Sequence, residues 1–495
     1  MLLRRADPMT LRRAAPILLL LFLISTWPTA TSQETAEETV WDEPRVVTEF
    51  LTIANNTTLV IRGTTIQFEQ GFRVDNGSRL ILESLPGFPA VISAASGARY
   101  NALVMGTLEI RGLPESPAVI EGMSGTAQTQ RQFIYVVGGL DIAGEMIGSH
   151  FEVRNYTAGI RLVLPAARVE VDHVLFASAE GVGLITGSGS ARVSNATFVG
   201  KGATFWASTD QGFSLEDSRL GQSESPISVN DGRGALRNVT VAGNVTRCIK
   251  ILAGNVSIDG MTCQGYAENG IQMEGQRSLL HAEDIRVSSG GPEAGATINA
   301  VGAGALEVRN STLGPTAKNG VRLLTTEPVF EGVVFRDIGA YNVLLIDPLP
   351  LPPYALLGEG ESGRSGWLSA IATASAQVLM PDLTPAPGAG VGYARESTGV
   401  LEEVQVANSM GQTPGIQLET FRIGPDGTAK AESYTVRAQD ATGRFQWERE
   451  AYVPDGTGLT IRLVETIPEG RATPFFLLYA LVAIAIAASL APRRS

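Results

Sequence analysis

Two carboxylates and an imidazole near the middle of the chain are the residues best placed to do chemistry. Asp259 and Glu283 are one repeat apart in a stretch that recurs in steps of 21 to 26 residues; His281 precedes Glu283 by two, and Glu307 falls in the next repeat. If each repeat adds one strand to a parallel stack, Asp259 and Glu283 stand about one strand spacing apart, roughly 5 Å. Retaining glycosidases separate their acid and nucleophile by a similar distance. Close carboxylates raise each other's affinity for protons, and a histidine beside them can share in acid–base work or bind a metal. A plainer reading competes. One residue before each corner of the repeat the chain reads Ser149, Asp172, Ser194, Glu216, Arg237, Asp259, Glu283, Arg309, Glu331. Acids and arginines alternate there, and cross-strand pairs worth a few tenths to about 1 kcal/mol each account for a solvated, charged face.

A second outward column reads Arg161, Gly183, Thr204, Ser228, Lys250, Gln272, Thr297, Arg322, Leu344. Its cations Arg161, Lys250 and Arg322 over small polar residues could bind an acidic polysaccharide, against the alternative of an ordinary wet sheet face. His150 and His173 recur at one repeat position, where a metal site or pH switch needs a third ligand. None is in register, so a structural turn position is expected. The chain shows no phosphate loop, dinucleotide fingerprint, zinc spacing, nucleophile elbow or EF-hand loop. No cofactor or metal is expected.

The elements that must position these residues come from the repeat itself. A turn-type or polar residue occurs at His150, His173, Asn195, Asp217, Asn238, Gly260, Asp284, Asn310 and Gly332. Three positions after each comes an apolar residue: Val153, Phe176, Phe198, Leu220, Val241, Cys263, Val287, Leu313, Phe335. A second turn column runs Gly159, Gly181, Gly202, Pro226, Cys248, Gly270, Gly295, Gly320, Asn342, with apolar residues one and three places later. A period of this length marks a solenoid of stacked coils. Longer, less regular coils with the same strand pattern extend back to residue 46, as at 59–61, 80–82 and 108–110. About 12 or 13 coils at the spacing of paired strands make a rod on the order of 60 Å.

With Asn or Asp at one corner, Gly at the next and inward apolar ladders between, residues 45–347 resemble the right-handed parallel β-helix of the pectate-lyase-like superfamily. The resemblance implies an all-β fold shared by lyases, hydrolases, adhesins and inert stalks, so it implies no single activity. The Asp-Asp and Gly-His-Gly elements of polygalacturonases and the aspartate cluster of pectate lyases are missing.

Prolines 348, 350, 352 and 353 with glycines 358, 360, 363 and 366 read as a linker, 348–366, closing the last edge of the stack. Residues 367–466 carry short strand patterns around 404–406, 416–418, 434–436 and 459–461, with turns at 424–427 and 454–456, and predict a small antiparallel β-sandwich. Its turn spacing resembles Ig-like or carboxypeptidase-regulatory-like modules. Residues 1–32 carry four arginines, an apolar run and small residues, the order of a secretory signal peptide. Residues 474–491 form an uncharged run long enough for one transmembrane helix, and the basic tail 492–495 favours the cytoplasmic side. That end also resembles the sorting signals of prokaryotic surface proteins.

The 495 residues carry a net charge of −12, against nucleic acid as a partner. The two cysteines, Cys248 and Cys263, leave two outcomes open in an exported chain: one disulfide, or two separate buried thiols across a corner. Nine of the 16 asparagines lie in N-x-S/T sequons. Asn195, Asn238 and Asn310 have a turn role of their own, so Asn55, Asn56, Asn76, Asn155, Asn244 and Asn255 are the glycan candidates. The expectation is a membrane-anchored cell-surface protein with a binding or structural role toward glycans or neighbouring surface proteins. The alternative is a polysaccharide lyase or glycoside hydrolase using Asp259, Glu283 and His281.

Overall fold

A computed structural model of the chain describes residues 38–95, 101–122, 134–137, 144–156, 158–177, 182–186, 189–201, 204–288, 290–326, 328–347, 359–455 and 458–465. The expected signal peptide 1–32, the apolar run 474–491 and the tail 492–495 lie outside these residues. Among the described residues no helix is long and apolar enough to cross a membrane.

The chain divides into two units, 1–370 with 422–429, and 371–421 with 430–495. The first is a parallel β-solenoid of right-handed type with about 12 turns. It begins at the strand Glu38–Trp41, which pairs with 58–62, earlier than residue 45. Each coil contributes to three strand faces. The first runs through 168–172, 190–194 and their equivalents, and the second through 174–177 and 197–199. The third runs through 158–163 and 249–251.

The corner between the first two faces explains the first turn column. All nine of its residues are left-handed, with φ between 47° (Asp217, Asn310) and 70° (Gly260). Asn, Asp and Gly tolerate that conformation best, so the column draws heavily on them. The backbone ladder continues through the bend: Asn238 N donates to Asp259 O at 2.8 Å, and Asn310 N to Glu331 O at 2.9 Å. Three residues on, the apolar column points inward. Val153, Phe176, Phe198, Leu220, Val241, Cys263, Val287, Leu313 and Phe335 are each at most 2% exposed. Phe176 and Phe198 stack with centroids 4.7 Å apart. Each such burial contributes about 1.5–3 kcal/mol, and stacking makes the core continuous from coil to coil.

Gly159, Gly270 and Gly320 of the second turn column are steric necessities where the coils touch. A Cβ on Gly270 would lie 2.3 Å from Val287 Cγ1 and 2.6 Å from Thr297 O. The residue in register with Gly270 and Gly320 is Thr297, two places after Gly295. A slip of two keeps inward and outward residues on their faces, so the apolar pattern alone does not reveal it.

Residues 359–366, expected within a linker, join the stack: 359–360 pairs with 334–335, and the Arg364 and Ser365 amides donate to Ile338 O and Ala340 O. Residues 348–358 lie outside the described residues.

The second unit has an antiparallel five-stranded sheet, Leu401–Val406, Gly390–Arg395, Tyr434–Gln439, Phe445–Tyr452 and Val464–Glu465 in spatial order. It is not wholly antiparallel, because 375–379 pairs in parallel with 458–462. Its own core includes Val378, Val391, Tyr393, Leu418, Tyr434, Val436 and Ile461.

Candidate functional site

Asp259 and Glu283 are direct neighbours on the first face, and Ser257 lies opposite His281. Both carboxylates stand exposed on the open strand face. Their surroundings differ from a simple alternating ladder. Arg237 pairs back to Glu216 at 3.4 Å. Arg309 pairs with Glu307 at 2.5 Å and Glu331 at 3.4 Å. Glu283 accepts from Asn310 Nδ2 at 3.1 Å. Asp259 and Glu283 therefore form a like-charged pair with no cation bonded to either among the described residues.

His281 does not turn to that pair. Its Nδ1 faces Glu307 Oε2 at 2.5 Å, one coil onward. The bond to His281 and the charge of Arg309 hold the Glu307 carboxyl below the usual carboxylate range. A glycosidase acid keeps its proton by enclosure among apolar side chains, which this exposed face does not provide.

His150 and His173 stack at successive left-handed corners, centroids 4.5 Å apart and planes 13° from parallel. His173 Nδ1 faces Asp172 Oδ2 at 2.6 Å. Asp172 also accepts from Ser194 and Asn195. Burial pushes its carboxyl up, but these three partners outweigh it and bring it down to about 2. Among the described residues no group of three or more His, Cys, Asp or Glu is arranged to hold a metal.

On the third face the column through Arg161 continues as Ile185, Trp206, Ser228, Lys250, Gln272, Asn299, Arg322, Leu344. Ile185, Trp206 and Asn299 replace the expected Gly183, Thr204 and Thr297, the same two-residue slip. Thr297 is fully buried, its hydroxyl donating to Gly320 O. Lys250 lies 4.0 Å from Glu274, and Arg322 Nη1 is 3.4 Å from Asn299 Oδ1. Asn299 Nδ2 donates to Gln272 Oε1 at 2.9 Å. Arg161 is four coils from Lys250, about 19 Å at strand spacing. The three cations do not converge.

Cys248 and Cys263, both fully buried, are joined with Sγ–Sγ 2.09 Å across the corner. Asn55, Asn56, Asn76, Asn155 and Asn244 are exposed, whereas Asn255 is half-buried in register between Arg233 and Leu279. At the corners, Asn195, Asn238 and Asn310 donate to Asp172, Asp217 and Glu283 of the preceding coils.

Two arrangements have no counterpart in the sequence reading. A depression of about 240 Å³ opens on the first face over 168–170, 190–192 and 212–214. In the second unit, Arg395 pairs with Glu402 at 2.7 Å and Glu419 at 2.9 Å, beside Glu432, which is only 1% exposed. Glu432 lies 3.0 Å from Lys430 and accepts from Ser397 at 2.6 Å.

No protein-family model, curated protein or solved structure matches this chain. Fold and site chemistry therefore carry the functional argument alone.

Proposed function

We propose that the chain is an exported, membrane-anchored cell-surface protein whose solenoid is a binding or structural rod rather than an enzyme. The export signal is residues 1–32, the anchor 474–491, and the bulk lies outside. The likeness of its coils to the pectate-lyase-like β-helix is part of the same proposal. One observation carries the non-catalytic reading: on the first face, outward charges pair with their neighbours, between coils as in Arg62–Glu83 and Glu216–Arg237 and along a strand as in Arg111–Glu109 and Arg309–Glu307, and among the described residues they do not converge on an enclosed centre. Pairs between coils stabilise a rod surface. Glycans at Asn55, Asn56, Asn76, Asn155 and Asn244 suit the exposure of those residues. Partners are envelope polysaccharides or neighbouring surface proteins.

Protease added to intact cells tests the placement. It should remove the solenoid while sparing cytoplasmic proteins, and a chain ending at Glu465 should appear in the medium. Full protection of the solenoid in intact cells would overturn the reading.

A second reading, a polysaccharide lyase or glycoside hydrolase, is favoured by one observation: Asp259 and Glu283 are adjacent in register, and among the described residues no cation pairs with either. Their exposure and the commitment of His281 to Glu307 weigh against it.

A further inference from the structure

On the first face, Arg62, Arg79, Arg111, Arg168, Arg237 and Arg309 each hold a carboxylate. Arg192 and Arg233 stand on the same face, exposed, and among the described residues neither has a carboxylate partner. Arg192 is opposite Glu170 in register, but Glu170 is taken by Arg168. On its other side Arg192 faces Ser214. Arg233 falls beside Gly212, since Phe213 pairs with Gly234.

The two unpaired arginines thus flank the same coil from opposite sides, two residues apart along it. Their Cα atoms are separated by about 12 Å, from two strand spacings and a two-residue rise. The coil between them is low: Gly212 has no side chain, and Ser214 has only a hydroxyl, donating to Glu216 Oε1 at 2.6 Å. The depression of about 240 Å³ includes this floor and Arg192. Exposed, unpaired cations add nothing to stability, so packing does not explain why this face leaves these two free beside its low ground.

We propose that this depression binds an acidic saccharide, with Arg192 and Arg233 each holding a carboxylate or sulfate and the 212–214 floor admitting the sugar chain. The planar guanidinium fork matches such oxyanions. A shallow floor with a backbone-only position and a hydroxyl suits a hydroxylated chain. The site rests on the reading of the solenoid as an envelope-facing rod. It is distinct from the Arg161, Lys250 and Arg322 column.

Calorimetry on the full chain in detergent, with an oligogalacturonate, a sulfated oligosaccharide of equal length, a neutral dextran oligomer and inorganic tripolyphosphate, tests it. At least one acidic saccharide should bind, more weakly as salt rises, while dextran does not. Arg192→Gln with Arg233→Gln should weaken binding at least tenfold, and Arg219→Gln, exposed on the second face, should leave it unchanged. A carboxylate-over-sulfate preference, or the reverse, identifies the recognised group. Wild type binding neither acidic saccharide, the double variant binding like wild type, or tripolyphosphate binding as tightly as the saccharide would each overturn the site. None of these alters the protease result on intact cells, so the site can fail while the surface reading stands.

Discussion

The imidazole of His281 is hydrogen-bonded to Glu307 on the next coil at 2.5 Å, and not to Glu283 two residues along its own strand. Both directions of pairing occur on this surface: Arg62–Glu83 and Arg237–Glu216 join successive coils, whereas Arg111–Glu109 and Arg309–Glu307 join residues two places apart on one strand. A side chain on a parallel stack faces its register neighbours at strand spacing, whereas a residue two places along the same strand is about 6.6 Å away.

The Glu307 carboxyl, held low chiefly by the His281 bond and then by Arg309, should titrate below the ordinary glutamate range. A lowered folded value means that the linked stability is present above the unfolded value and lost as pH falls through the folded one. Carbon-detected NMR of the glutamate carboxyls should show this, with His281→Ala moving Glu307 back toward the usual range. An unchanged titration in that variant would mean that the bond has no weight in solution.

The left-handed corners predict a reversal of ordinary helix and strand preferences. Asp284 has φ 52° and an exposed side chain. Asp284→Gly should be neutral or stabilising by up to about 1 kcal/mol, whereas Asp284→Val should cost about 1–2 kcal/mol. Urea unfolding of the two variants measures the difference.

Reduction should weaken the middle of the solenoid. Cys248 and Cys263 close a 15-residue separation, for which a crosslink is worth about 3 kcal/mol by chain entropy. The double alanine variant should unfold at correspondingly lower urea, and added thiol should lower the stability of wild type but not of the variant.

In the second unit, burial pushes the Glu432 carboxyl up. Bonds from Ser397 and Lys430, with the charges of Lys430 and Arg395, outweigh that and leave it below the usual range. Its contribution is therefore complete above about pH 4.3, the ordinary glutamate value, and declines as pH falls through the folded value. Glu432→Gln should destabilise this unit by about 1 kcal/mol at neutral pH, because the half-exposed Lys430 loses its partner while Arg395 keeps Glu402 and Glu419. The difference from wild type should shrink in acid. Fluorescence of Trp447, packed against this unit's core, reports it.

The first turn column and the apolar column were legible because their residue types answer to two local demands, a left-handed bend and a dry interior. The third-face register was not, because a slip of two residues preserves alternation: Gly295 looked like the corner residue, yet Thr297 occupies it. Adjacency of Asp259 and Glu283 followed from repeat length, but the partner of His281 did not. Choosing between Glu283 and Glu307 needs side-chain direction. The Arg395 cluster joins strands of unequal spacing with no repeat to align them. Free arginines such as Arg192 become visible only when every neighbouring acid has been assigned.

The central claim, that this face is a binding or structural surface and not a catalytic one, is tested most directly by incubating the full chain with uronate polymers. Unsaturated products are followed by ultraviolet absorbance, and new reducing ends are counted. The account predicts neither product above the level of the polymer alone, and no difference between wild type and Asp259→Asn or Glu283→Gln. Product formation by wild type that either substitution abolishes would contradict it.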